Sequence, residues 1–222
     1  MESVAIMQPY FVPYAGYFRL FAAADLFVIY DCVQFPRRGW VHRNRLPDAN
    51  GNLAWLTLPL VKASREVLIR DLRFQTDAGE RLKTQLRKFP SLSGNACSAP
   101  IVEALSPTET NVVDYLERLL RQCCDMLGLG FNTVRSSSLG IHGHVRGADR
   151  IIAIARSVGA KQYINAPGGR LLYDVSMFAR QGLDLMFLSD YQGSNASILH
   201  RLLTEPADLV CQELRAQTTL AR

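Results

Sequence analysis

The second half of the chain repeats a helix–glycine–strand grammar, and that grammar leaves few folds open. Ala148 to Val158 spaces its apolar residues as a helix does, Gly159 stops it, and Gln162-Tyr163-Ile164 follows as a strand. Leu171 to Arg180 reads as the next helix, Gly182 ends it, and Leu185 to Leu188 is the next strand. Glycine suits the position just past a helix because it enters the left-handed region without a Cβ clash. At the other end, Val4 to Met7 reads as a buried strand, the stretch from Gly16 to Ala24 as a helix and Leu26 to Tyr30 as a strand rich in β-formers. So short a strand–helix–strand unit implies parallel pairing with a right-handed crossover. The expectation is an α/β fold, Rossmann-like and doubly wound, with a mainly parallel sheet.

Between these units the pattern changes. Residues 31 to 61 mix aromatic, basic, Pro and Gly residues, with a turn signal at Asp48-Ala49-Asn50-Gly51 and an alternating strand from Leu53 to about Val61. This predicts a β-hairpin-like insertion after the second strand, over about 31–76, with another short strand at Val67 to Arg73. Ala78 to Phe89 predicts a charged amphipathic helix, and 90–105 a loop. Ser106-Pro107-Thr108-Glu109 reads as a capping box opening a long helix, whose stripe runs from Val112 through Leu116, Leu119, Leu120, Cys123 and Cys124 to Leu127. Phe131 to Val134 is a strand leading to Ser136-Ser137-Ser138. The whole of 1–222 reads as a single α/β domain with a C-terminal helical tail from about 197.

Charge and cysteine usage narrow the partners. Lys and Arg number 25 against 20 Asp and Glu, a formal +5 that suits a phosphorylated or otherwise anionic small ligand and is too diffuse to suggest nucleic acid. No run approaches the ~20 apolar residues of a bilayer span. The most apolar stretch, Phe18 to Tyr30, is broken by Arg19 and Asp25, and Met1-Glu2-Ser3 has no basic leader segment. Five cysteines without a Cys-x-x-Cys pair, and four scattered histidines, suggest a reducing, cytoplasmic setting and no metal site. The residues name no cofactor, and they leave assembly into a homo-oligomer open.

In open parallel sheets, ligands bind beyond the carboxyl ends of the strands. The first strand delivers Gln8, Tyr10, Tyr14, Gly16 and Tyr17 on a proline-stiffened loop. The second delivers Asp31, Cys32, Gln34, Arg38, Trp40, His42, Arg43, Asn44 and Arg45, where guanidinium forks match phosphate or carboxylate and an indole can stack a ring. A later strand delivers Asn165, Gly168 and Gly169, a turn able to cradle an oxyanion. Asp31 and His42 are the candidate proton acceptors, and Cys32 is a nucleophile only if a neighbour favours its thiolate. The plainer alternatives are that the rings cap the core and that the basic hairpin is simply solvated. Cys123 and Cys124 read as inert core thiols.

Several of these stretches also resemble a known family. Met7-Gln8-Pro9-Tyr10-Phe11, Pro13-Tyr14-x-Gly16-Tyr17-Phe18, Asp25-x-Phe27-Val28-Ile29-Tyr30-Asp31-x-Val33-Gln34-Phe35, Arg38-Gly39-Trp40-x-x-Arg43-Asn44-Arg45 and Trp55-Leu56-Thr57-Leu58-Pro59-Leu60 resemble the WbqC-like protein family. The likeness implies a transferase that forms an amide by acyl or aminoacyl transfer to an amine, with an amino sugar nucleotide or related metabolite of polysaccharide or natural-product biosynthesis as acceptor. Cys32, His42 and Asn165-Ala166 depart from the family pattern, which usually has an acidic residue, Asn and Ser-Gly there. The layout of strand, Pro9-x-x-x-Pro13-Tyr14-x-Gly16-Tyr17, helix and a strand ending in Val33-Gln34-Phe35 is also similar to that of pantothenate-synthetase-like enzymes, with Tyr14-Ala15-Gly16-Tyr17 in place of their His-x-Gly-His element. That likeness implies an ATP-dependent nucleotidyl transferase or adenylating ligase as the alternative. A non-catalytic binding protein of a biosynthetic complex is the third reading.

Overall fold

Short apolar runs are buried most fully when parallel neighbours flank them on both sides, and the N-terminal strand has that place. The computed structural model describes residues 2–92 and 100–222. In chain order its strands are β1 (Ser3–Met7), β2 (Leu26–Ile29), β3 (Arg43–Pro47), β4 (Leu53–Thr57), β5 (Thr133–Arg135), β6 (Gln162–Asn165), β7 (Asp184–Leu188) and β8 (Leu220–Ala221). The helices are α1 (Arg19–Ala23), α2 (Ala78–Leu86), α3 (Pro100–Glu103), α4 (Val112–Met126), α5 (Gly147–Ser157), α6 (Val175–Ala179), α7 (Ile198–Thr204) and α8 (Ala207–Ala216).

The main sheet has the order β5-β2-β1-β6-β7-β8. Every pair is parallel except β7–β8. From β1 the chain first builds outward through β2 and β5, then returns to the other side of β1 and builds through β6 and β7. Strand order therefore reverses between β1 and β6, the place where such sheets leave a crevice. β3 and β4 form a separate antiparallel hairpin, with Arg45 opposite Trp55. The architecture is the expected Rossmann-like, doubly wound α/β fold. Its two faces carry separate apolar cores. One packs residues of α1, α2, α4, α7 and α8, among them Leu20, Leu82, Leu116, Leu199 and Val210. The other packs Ile151, Ile154 and Phe178 of α5 and α6 against Val4, Val28 and Leu185.

Four local expectations differ from what forms. The long helix α4 starts at Val112 rather than beside Pro107, because the Asn111 side chain accepts from the N–H groups of Val113 and Asp114 and caps it. Glu109 instead pairs with Arg118 at 2.5 Å, and this bond holds its carboxyl down to about 2. Residues 67–73 form a 3-10 turn, Ile69–Asp71, in place of a strand. The helix expected from Leu171 begins only at Val175, where Asp174 caps the Ser176 N–H; Leu171 is 99% exposed, so nothing rewards an earlier start. The tail forms α7 and α8 and then adds β8 to the sheet edge, which its polar sequence does not announce. Of the predicted loop over 90–105, residues 93–99, with Cys97, lie outside the described residues; Pro90–Leu92 and α3 are short helical turns. Among the described residues, no helix is long and apolar enough to cross a membrane.

Candidate functional site

A cavity of about 530 Å³ opens at the crevice between the carboxyl ends of β1 and β6. Its wall brings together Tyr10, Tyr14, Gly16 and Tyr17 from the first loop, Trp40, Asn44 and Arg45 from the hairpin, and Gly168 from the turn after β6. Its size is that of an ordinary small-molecule site. A larger open groove of about 660 Å³ lies between α5 and α6, on a helical flank away from the strand ends, and collects no comparable chemistry.

The first loop keeps its shape through buried hydrogen bonds from distant residues. Asn44 is 2% exposed, and its Nδ2 donates to the carbonyls of Phe11 at 3.0 Å and Val12 at 2.9 Å. The Asn44 Oδ1 accepts from the Arg45 N–H at 2.8 Å, so this amide is used in joining loop to hairpin. Ser197 Oγ also donates to the Val12 carbonyl, at 2.5 Å. These bonds hold Val12 at a φ of 36°, a left-handed conformation that a β-branched residue rarely adopts. Gly16 is required by packing: a Cβ there would lie 2.4 Å from the Tyr14 ring and 2.8 Å from that of Tyr191. Those two rings meet at 5.7 Å. Tyr17 is buried among Tyr10, Phe18, Phe21 and Phe27, and its hydroxyl donates to the Gln8 carbonyl at 2.8 Å. Burial pushes the Tyr10, Tyr14 and Tyr17 phenols up, so all three line the cavity uncharged.

The hairpin supplies the cation. The Arg45 guanidinium sits 5.5 Å from the Trp40 ring and 5.5 Å from the Trp55 ring. Its Nε is buried without a partner, and no carboxylate pairs with it among the described residues. Arg43, two residues earlier, is spent otherwise: it lies 4.2 Å over Trp55 and donates to the carbonyls of Arg38 and Gly39.

The other predicted residues lie elsewhere. Gln8 contributes only its carbonyl, and the side chains of Arg38 and Arg43 do not line the cavity. Asn165 is buried and caps the Ala166 N–H, while a Cβ on Gly169 would collide with that Asn165 side chain. Thus Gly169 serves packing, and of the two glycines only Gly168 faces the cavity. Asp31, 1% exposed, accepts from Ser136 Oγ, Ser137 Oγ and the Ser137 N–H, a knot that ties the ends of β2 and β5 together. Cys32 and Gln34 line a different cavity. His42 packs edge-on against Phe35, in yet another depression.

His42 has a buried Nδ1 without a partner. Burial, then the neighbouring Arg43, brings its imidazole from 6.5 down to about 4. The folded state thus prefers the neutral ring, and stability should fall as pH drops from about 6.5 toward about 4, where the unfolded chain binds the extra proton. The His42 ring protons, followed by NMR, are expected to titrate with a midpoint of about 4. A midpoint at the ordinary value would contradict this placement.

Among the polar side chains of the cavity, Asp190, Tyr191 and Asn195 escaped the sequence reading. The signal was available, since Asp190 and Tyr191 follow the carboxyl end of β7, a strand the periodicity had already marked. Among the described residues, Asp190 is the one carboxylate lining the cavity. Tyr191 donates to Glu213 at 2.5 Å and accepts from Arg201 at 3.0 Å, which anchors this wall to α7 and α8.

Comparison with known proteins agrees with the motif likeness. An uncharacterized protein of Mycobacterium tuberculosis (strain ATCC 25618 / H37Rv), Rv1507c, is 29% identical over 199 residues, covering 87% of this chain and 84% of its own. No solved structure matches the chain. The model of the WbqC-like protein family matches residues 8–195, a span that runs from the aromatic loop to the last cavity residue. By that match over most of its length, the chain belongs to the WbqC-like protein family.

Proposed function

We propose that the protein is a transferase that forms an amide, moving an acyl or aminoacyl group onto the amine of an anionic, ring-bearing metabolite such as an amino sugar nucleotide. The observation that carries this reading is Arg45. A guanidinium without a carboxylate, set beside a pair of touching indoles at the strand-order reversal, is suited to meet an anionic group attached to a flat or cyclic body. Tyr10, Tyr14 and Trp40 form the apolar wall for that body. In the reaction a C–N bond forms at the donor carbonyl carbon and the bond to the donor's leaving group breaks. The leaving group takes the electron pair, and the amine proton passes to Asp190. Asp31 and His42 have no part in these steps, because neither lines the cavity. A polysaccharide or natural-product pathway supplies an acceptor of this kind.

Incubation with nucleotide-linked amino sugars and activated acyl or aminoacyl donors should give a product whose mass equals acceptor plus acyl group. Arg45→Met removes one charge-assisted contact, worth about 2 kcal/mol, so KM for the acceptor is expected to rise roughly 30-fold with a smaller change in kcat. Asp190→Asn should lower kcat and leave acceptor binding nearly unchanged. Absence of both product and saturable binding across the panel would overturn the proposal.

A further inference from the structure

The carboxyl ends of β2 and β5 frame a second cavity, of about 440 Å³, that the reading above does not use. Cys32 and Arg150 lie on its wall, Arg70, Arg146 and Glu66 also line it, and Gly147 begins helix α5 there. Arg150 is 7% exposed. Its Nη1 donates to the carbonyls of Val145 at 2.9 Å and His142 at 3.4 Å, and its Nη2 reaches Cys32 Sγ at 3.1 Å. Its Nε is buried without a partner, and no carboxylate forms an ion pair with it among the described residues.

The nearest buried carboxylate is already engaged. Asp31 accepts 2.9 Å bonds from Ser136 Oγ and the Ser137 N–H, and a 2.6 Å bond from Ser137 Oγ. Ser136 Oγ lies 2.9 Å from Cys32 Sγ, which sets that sulfur between the knot and Arg150. A buried guanidinium left without a counter-charge is costly unless a ligand supplies one. The first turn of α5 adds to the same field. Its cap residue, Arg146, offers no side-chain acceptor, so the leading N–H groups face outward with the positive end of the helix. Asp149, the acid of that turn, lines the opposite groove. Among the described residues around the second cavity, Arg150 and Arg146 have no carboxylate partner, Arg70 pairs loosely with Asp71 at 3.9 Å, and Glu66 is the one carboxylate on the wall.

We propose that this cavity is a second ligand site, which binds the phosphate group of a small metabolite between Arg150 and the N-terminus of α5. A phosphate offers several oxygens at once, enough for the second Nη2 hydrogen of Arg150, the exposed guanidiniums at the rim and two backbone N–H groups. The remaining volume accommodates a body of about sugar size. The site is independent of the chemistry proposed at the β1–β6 crevice.

The test uses the full-length, 15N-labelled protein titrated with inorganic phosphate, against chloride at equal ionic strength. Saturable shifts are expected at the amides of Gly147 and Ala148, and Arg150→Met should weaken binding by about tenfold or more. Arg150 also holds two carbonyls, so the double variant Arg70→Ala, Arg146→Ala, which changes only exposed residues, carries the test if Arg150→Met fails to fold. It should weaken binding several-fold and leave the rest of the spectrum in place. Shifts that chloride reproduces, shifts confined to residues 166–169, or an affinity unchanged in the variants would overturn the proposal.

Discussion

Arg19→Met is expected to lower the unfolding free energy by about 3 kcal/mol, read as a fall in the urea midpoint with an unchanged m-value. The side chain is completely buried. Its Nη2 donates to the Ser189 carbonyl at 2.7 Å and its Nη1 to the Gln217 carbonyl at 2.7 Å, with longer contacts to Gly16 and Ser189 Oγ. Methionine keeps most of the apolar stem and abandons both carbonyls. Ser189 immediately precedes Asp190 and Tyr191, so the same change should loosen one wall of the crevice and weaken ligand binding there. A loss below about 1 kcal/mol would show that water replaces the guanidinium cheaply and that it is no clamp.

Asn44→Ala should cost a comparable amount, about 2 kcal/mol, because the buried Phe11 carbonyl loses its donor and the Val12 carbonyl keeps only Ser197 Oγ. Asn44→Asp is the more telling variant. It keeps the shape but turns a carboxylate oxygen toward the carbonyls of Phe11 and Val12, so it should destabilise at least as much as alanine. Hydrogen exchange should locate the effect: the Phe11 N–H, which donates to the Trp40 carbonyl, loses protection in both variants, while amides of β6 and β7 retain theirs relative to global stability. If aspartate were tolerated better than alanine, the donor role assigned to Asn44 would be wrong.

What could be read in advance follows a clear physical line. Fully buried parallel strands and helices stopped by glycine leave local marks, and β1, β2, β6, β7, α4 and α5 all appear within a few residues of where the pattern puts them. The rule that ligands gather at strand carboxyl ends also drew Tyr10, Tyr14, Trp40 and Arg45 into one cavity from stretches far apart in sequence. Individual roles were less legible. Asn44 and Gly16 look like ligand contacts in a list of residue types, but Asn44 ends in a backbone clamp and Gly16 in a ring-packing vacancy, and only three-dimensional neighbours decide such things. Asp31 is taken up by two serines more than a hundred positions away, a pairing with no periodic signature. The capping box at Ser106 pointed to the wrong start because Asn111 has the same chemistry: its side chain accepts from the Val113 and Asp114 N–H groups, while Glu109 pairs with Arg118.

The joint at Val12 also bears on how the protein is made. The Val12 carbonyl needs Ser197, the Pro13 carbonyl accepts from the Ile198 N–H at 2.7 Å, and the Ser197 N–H donates to Arg45. On a ribosome, the aromatic loop and the hairpin emerge on the order of ten seconds before residue 197 can reach them. For that interval the nascent N-terminal third must carry its exposed rings without the latch that later seats them, and it is during this wait that a chaperone has most to offer.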